Sequence, residues 1–110
     1  MITSSKFIEL IDKTYACIEE AIEHAHLEID IEHSENVLTL ELENGHKIIF
    51  TPQSAYCQLW LASKTKGLHF DYENNTWYAR RESVSLPAAL NQLLSKELQQ
   101  PINLEINLEQ

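Results

Sequence analysis

Lysine and arginine are nearly missing from the first forty-three residues of this sequence, where only Lys6 and Lys13 oppose eleven of the chain's seventeen carboxylates. That segment alone carries the whole formal net charge of −9, and the rest of the chain balances. With nothing there to neutralise phosphates, nucleic acid is excluded as a ligand class. Cysteine is scarce as well. Cys17 and Cys57, with no C-x-x-C spacing, rule out a disulfide framework and a thiolate zinc site. They read as two reduced, mostly buried thiols, with residual reactivity left to Cys57 beside its polar neighbours. No run approaches the roughly 20 apolar residues that span a bilayer. The start, Met1 to Lys6, has neither a secretory apolar core nor the Arg-rich character of a transit peptide. The expectation is a cytoplasmic protein without a membrane partner.

The 110 residues, 44% of them apolar and without internal repeats, predict a single domain over 1–110 with one core. Phe7, Leu10, Ile11, Ile18, Ala21, Ile22 and Ala25 follow helical spacing after a Ser4/Ser5 N-cap candidate. The period then shortens to two, predicting strands near 27–33, 36–43, 46–51, 56–62, 68–73 and 76–80. Asn44-Gly45 is the strongest hairpin signal, suited to a type I′ turn, and Asn74-Asn75 is a weaker one. Short connections of this kind imply an antiparallel meander.

A second helix is predicted after Ser85, with Pro87 in its first turn, a stripe of Leu86, Ala89, Leu90, Leu93, Leu94 and Leu98, and an end at Pro101. From Ile102 to Glu109 apolar and polar residues alternate, predicting an extended tail over 101–110 with one covered face. The fold class is therefore α+β, a two-layer sandwich with two helices packed on one face of an antiparallel β-sheet. Such a sheet leaves its other face to solvent. In Gln58-Leu59-Trp60-Leu61-Ala62, leucines facing the helices put Trp60 and Gln58 on that open face. Two readings stand for Trp60: a core aromatic, or a partner-binding anchor. His69 and Asp71 share one face of their strand, opposite Leu68, Phe70 and Tyr72.

The order of elements, the paired Glu19-Glu20 late in an acidic first helix, Val37-Leu38-Thr39-Leu40 leading to Glu43-Asn44-Gly45, and Gln58-Leu59-Trp60-Leu61-Ala62 running on to Gly67-Leu68-His69-Phe70-Asp71 together resemble the frataxin family, in its bacterial CyaY branch. The resemblance extends from about Phe7 to Leu94. It implies an iron-binding protein of iron–sulfur cluster assembly, non-enzymatic, that holds Fe²⁺ or Fe³⁺ weakly on an acidic ridge. It also implies contact with the cysteine desulfurase and the scaffold protein, a role as regulator or iron donor, and a monomer that iron can drive to oligomerise.

Carried over residue by residue, the ridge is Glu19, Glu20, Glu23, Glu28, Asp30 and Glu32. Elementary geometry supports the positions: Glu19 and Glu23 are one helical turn apart, Glu20 neighbours His24, and Glu28, Asp30 and Glu32 alternate along a predicted strand. Dense like charges disfavour one another's ionisation, and a cation relieves that cost. Hard oxygen ligands suit Fe²⁺, Mn²⁺, Mg²⁺ or Ca²⁺ without sharp discrimination, so other divalent cations can substitute. The structural reading of the same acids is a solvated helix face. His24 and His26 stand where bacterial relatives continue with aspartates, and are candidate borderline ligands or plain surface histidines. Lys66 replaces a glycine of the family pattern. For partners, the candidate set is Glu19, Glu20, Glu23, Gln58, Trp60 and His69. Two alternatives accompany the iron reading: a metal-independent acidic docking module, and a ferroxidase or iron-storage enzyme, against which no nucleophile constellation or closed di-metal motif appears.

Overall fold

A 21-residue helix, α1 (Ser4–His24), opens the fold in the computed structural model of the chain, which describes residues 3–108. Its N-cap is Thr3 rather than Ser4 or Ser5: the Thr3 hydroxyl accepts from the Lys6 N–H at 3.2 Å, so the helix begins one or two residues earlier than those candidates placed it. Seven antiparallel strands follow in simple chain order, β1 (Asp30–Ser34), β2 (Val37–Glu41), β3 (Lys47–Gln53), β4 (Gln58–Ala62), β5 (Gly67–Glu73), β6 (Thr76–Ala79) and β7 (Val84–Ser85). A 3₁₀ turn, Ser54–Tyr56, joins β3 to β4, and α2 (Leu86–Leu98) closes the domain.

Both helices cover one face of this sheet. Phe7, Ile11, Tyr15, Ile18 and Ile22 of α1 are buried against Leu38, Leu40, Ile48, Phe50, Leu59, Leu61, Leu68 and Phe70 of the strands, with Leu86, Leu90 and Leu94 from α2. Alternation thus puts Leu59 and Leu61 in the core and leaves Trp60 on the opposite face. Polar groups inside are matched. Trp77 Nε1 donates to Thr14 Oγ1 at 2.8 Å, and the Thr14 hydroxyl donates to the Leu10 carbonyl at 2.7 Å. The Tyr15 hydroxyl lies 2.7 Å from the Asn36 carbonyl and 3.1 Å from that of Phe50, tying α1 to a hairpin and to β3. Burial, reinforced by Asp12, raises the Tyr15 pKa, so the phenol stays a donor.

Several boundaries differ from expectation because turns here do not depend on glycine. The chain has two glycines, and among the described residues eight others take positive φ: His26, Glu35, Asn36, Cys57, Asn74, Asn75, Ser83 and Gln99. Glu35-Asn36 and Asn74-Asn75 each form a two-residue connection with both φ angles positive, the type I′ pattern. Asn44-Gly45 does not. Only Gly45 is left-handed, at φ 87°, and bonds from Gly45 N to Leu42 O and from Leu42 N to His46 O enclose a three-residue loop with Glu43 and Asn44 at its turn. The first strand starts at Asp30, not near 27, because the chain leaves α1 through a cap at Ala25 and left-handed His26. Glu28 therefore precedes the strand. Tyr56 belongs to the 3₁₀ turn rather than to β4, β7 is an additional two-residue strand, and α2 stops at Leu98 with left-handed Gln99 as its cap, before Pro101.

The tail runs along the helices as an extended strap. The Asn91 side chain brackets Leu104, accepting its N–H at 2.7 Å and donating to its carbonyl at 3.2 Å. Ser95 does the same for Ile102, at 2.8 and 3.2 Å. Leu104 is buried, and Ile102, Ile106 and Leu108 pack partly against the core, while Asn103, Glu105 and Asn107 point to solvent. The last position of the predicted alternation, Glu109, lies outside the described residues.

Candidate functional site

The acidic face of α1 is divided into two flanks. Glu19 looks toward β1, its Oε2 3.4 Å from Nδ1 of His33, whose ring meets Tyr15 edge-on at 5.1 Å. Glu23, one turn on, follows it on that flank. Glu20 and His24 belong to the other flank and line a groove of about 540 Å³ with Cys17, facing Glu105 and Asn107 of the tail. Cys17 donates to the Asn107 carbonyl at 3.3 Å. Burial first, and Glu20 second, raise the pKa of this thiol against the opposing pull of Lys13, so it is held as a thiol rather than as a metal-ready thiolate. Both cysteines are half-buried, more open than the sequence suggested.

The strand carboxylates form a further group. Ile31 and His33 pair with Leu40 and Leu38, whose side chains are buried under the helices, so alternation turns Asp30 and Glu32 to the open face of the sheet. Asp30 lies directly across from Glu41, and Glu41 from Lys47, which gives a row of two acids and one base at this edge. Glu20, Glu23, Glu28, Asp30 and Glu32 are exposed, as are His24 and His26; Glu19 is half-covered. His26 lies beyond the helix end, its N–H donating to Glu23 O at 3.1 Å. Among the described residues no three His, Cys, Asp or Glu side chains come together as a preformed cage for a metal ion. Chemically, exposed carboxylates in twos and threes suit weak, exchangeable, hydrated divalent cations.

On the open face the aromatic groups are tightly ordered. Trp60 stands at the centre of β4, with Thr51 of β3 and His69 of β5 as its cross-strand neighbours. Its ring stacks on His69 with centroids 4.0 Å apart and planes 8° from parallel, and the Tyr56 ring lies parallel to it at 6.4 Å. The indole Nε1 donates to Gln58 Oε1 at 2.9 Å, and Gln58 Nε2 donates to Asp71 Oδ1 at 3.2 Å, so the Trp60 rotamer is fixed by a polar relay across two strands. Tyr56 was missed by sequence reasoning. Left-handed Cys57, at φ 51°, follows it, and the 3₁₀ turn brings the ring beside Trp60 while leaving it 67% exposed. The nearest sequence signal is its position four residues before Trp60. The helices of the fold are too short or too polar to cross a membrane among the described residues.

These features can be placed beside known proteins. The sequence model of the frataxin-like domain matches residues 1–100. The iron-sulfur cluster assembly protein CyaY of Pseudomonas fluorescens is 35% identical over 97 residues, covering 86% of this chain and 88% of the relative. The protein of the same name from Paraburkholderia phymatum is 32% identical over 102 residues, covering 93% and 97%. Among solved structures, the frataxin of Psychromonas ingrahamii superposes with a TM-score of 0.87 at 33% identity, covering 93% of this chain and 97% of that one. The trimeric frataxin of Saccharomyces cerevisiae, complexed with ferrous iron, shares the fold with a TM-score of 0.70 at 23% identity. With two helices over one face of an antiparallel sheet, and relatives aligned over nearly its whole length, this chain belongs to the frataxin family.

Proposed function

We propose that this protein is a non-enzymatic, iron-binding regulator or iron donor of iron–sulfur cluster assembly, which docks its acidic half onto a basic patch of the cysteine desulfurase and turns its open sheet face to the scaffold protein. The observation that carries this reading is the charge distribution: all of the net −9 is drawn from α1, β1, β2 and their connections, next to a sheet face with an ordered Trp60. Such a surface gathers cations and steers a basic partner. The names of the relatives, which are cluster assembly proteins, support the pathway.

In this proposal Glu19, Glu20, Glu23, Glu28, Asp30 and Glu32 take Fe²⁺ or Fe³⁺ weakly, in small groups rather than one cage, with His24 as an additional donor beside Glu20 and His26 next to Glu28. Other divalent cations compete on similar terms. Glu19, Glu20 and Glu23 contact the desulfurase, while Gln58, Trp60 and His69 contact the scaffold. The protein acts in the cytoplasm as a monomer without iron and assembles further when iron bridges ridge carboxylates of different copies. An anaerobic amide NMR titration with Fe²⁺ tests the metal reading: broadening confined to residues 19–32 supports it, and the absence of any site-selective change overturns it. Charge reversal at Glu19, Glu20 and Glu23 abolishes desulfurase binding. If chelating iron then leaves the regulation of the intact protein unchanged, the ridge is a metal-independent docking surface.

A further inference from the structure

The sheet is incomplete along one side of β5. This strand pairs with β4 from Gly67 to Asp71, but its ladder with β6 covers only Asp71, Tyr72 and Glu73. Past Ala79 the chain leaves β5 and turns back through Arg80 and Ser83, where Ser83 N donates to Arg80 O, into β7. Glu73 and Thr76 close the two-residue Asn74-Asn75 turn and so exchange both backbone bonds; counting back by twos, the N–H and C=O groups directed to this side recur at Asp71, His69 and Gly67. Asp71 is matched by Tyr78. At His69 and Gly67 the ladder has no partner, and no turn or side-chain bond among the described residues replaces one.

A cavity flanks this open edge on each face of the sheet. On the helix side, about 350 Å³ is floored by Leu68, Val84, Ala89 and Leu93 and rimmed by Lys66 and Lys96. On the open side, about 320 Å³ is lined by His69, Arg80 and Arg81 together with Asp71 and Glu82. Glu73 occupies Arg80 through its Nε at 2.9 Å. Lys66, Arg81 and Lys96 make no ion pair among the described residues, and Glu82 is the acid that touches both cavities. Three cations without an ion pair among the described residues therefore flank this interior gap in the sheet, with Glu82 and Asp71 among them, in a chain whose other half is strongly acidic.

We propose that the open edge of β5 at Gly67–Phe70 is a strand-addition site for an extended segment of a partner protein in which apolar and acidic residues alternate. Added as a strand, such a segment satisfies the Gly67 and His69 backbone groups. Its successive side chains go to opposite faces, apolar ones over Leu68 and Val84, where Lys66 and Lys96 border the cavity, and acidic ones toward Arg81 on the open side. The space around Gly67 is open, since a Cβ there would meet nothing within 4 Å, so nothing in the fold blocks an incoming strand at this position. This site is separate from the acidic half and from iron. Lysines at a bare edge also guard against unwanted pairing, so the test must separate reception from protection.

The experiment titrates the isotope-labelled full chain with an acetylated, amidated octapeptide of alternating leucine or valine and glutamate, followed by amide NMR and hydrogen exchange. The site predicts shifts confined to residues 66–70 and 80–84 and at least tenfold slower exchange of the Gly67 and His69 amides at saturation. The same peptide with lysine for glutamate leaves both unchanged. Gly67→Pro, which removes the donor, and the double variant Lys66→Glu with Arg81→Glu each weaken binding at least tenfold; should the proline variant fail to fold, the charge variant decides. Three results overturn the proposal: no shifts or shifts elsewhere, unaltered binding in the charge variant, or concentration-dependent self-association at this edge without peptide, which would make the occupant a second copy.

Discussion

Trp60 and His69 face each other across β4 and β5 as a parallel stack, with ring centroids 4.0 Å apart, on the side of the sheet that no helix covers. Stacks of this kind are worth about 0.5–1.5 kcal/mol beyond area burial. The polar relay through Gln58 to Asp71 holds the indole in place before any partner arrives, which limits the entropy lost on binding.

If the open sheet face meets the scaffold protein as proposed, Trp60→Ala reduces scaffold affinity by roughly 30-fold or more, the range of an aromatic hot spot above about 2 kcal/mol, while lowering stability by about 1 kcal/mol. Calorimetric titration and thermal melts of the same samples check the two numbers. A variant with unchanged affinity would remove Trp60 from the docking surface.

Glu97 links α2 to the β2–β3 connection, accepting from Asn44 Nδ2 at 3.0 Å and meeting His46 Nδ1 at 2.7 Å. The His46 bond first, and the Asn44 bond second, lower the Glu97 pKa from 4.5. A carboxylate with a depressed folded pKa adds stability that is present above its unfolded value and fades as pH falls through the folded one. Glu97→Gln should thus lower the melting temperature near neutral pH by the equivalent of up to about 1 kcal/mol. The difference from the parent chain should shrink steadily as pH drops below 4.5, the ordinary glutamate value. A gap that persisted well into acid would place the effect in packing rather than in charge.

Much of the architecture was legible because it follows from periodicity. Leucines at every second place in β4 and at helical spacing in α2 can be buried together in only one way, so the layers, the exposed Trp60 and the covered face of the tail were readable. Turns were less so. Left-handed backbone is signalled by glycine, and this chain assigns it to Glu35, Cys57, Ser83 and Gln99, which carry no such signal. The ends of the first strand and α2, the place of Tyr56 and the brief β7 were obscured for that reason. Alternation put Asp30 and Glu32 on one face of their strand, but which face was not legible: their side chains belong to the open sheet, and those facing α1 are Ile31 and His33.

The same glycine shortage gives a direct route to a more stable chain. Gln99 caps α2 at φ 54°, where a Cβ costs about 1–2 kcal/mol, and it is exposed. Glycine removes that cost but widens the unfolded ensemble. Gln99→Gly should gain a net of about 0.5–1 kcal/mol, seen as a higher denaturant midpoint at constant slope. Loss of stability would mean that the Gln99 side chain contributes to the tail it precedes.

The tail is the last element whose energetics can be separated experimentally. Leu104 is 6% exposed, and its backbone is bracketed on both sides by the Asn91 amide, so one residue joins apolar burial to a pair of side-chain hydrogen bonds. Leu104→Ala removes only the burial and is expected to cost about 2–3 kcal/mol. Asn91→Ala removes only the bracket and leaves a half-buried N–H and C=O less well matched, at about 1–2 kcal/mol. Because the two act at one residue, their double variant should cost less than the sum by more than about 0.5 kcal/mol, a coupling that a merely adjacent tail would not show. Truncation after Gln100 removes Ile102, Leu104, Ile106 and Leu108 together and should exceed any of these, with an unfolding slope that falls as less surface is hidden. Equilibrium urea unfolding of the four variants measures all of this. An unchanged midpoint on truncation would show that the strap covers the helices without stabilising them.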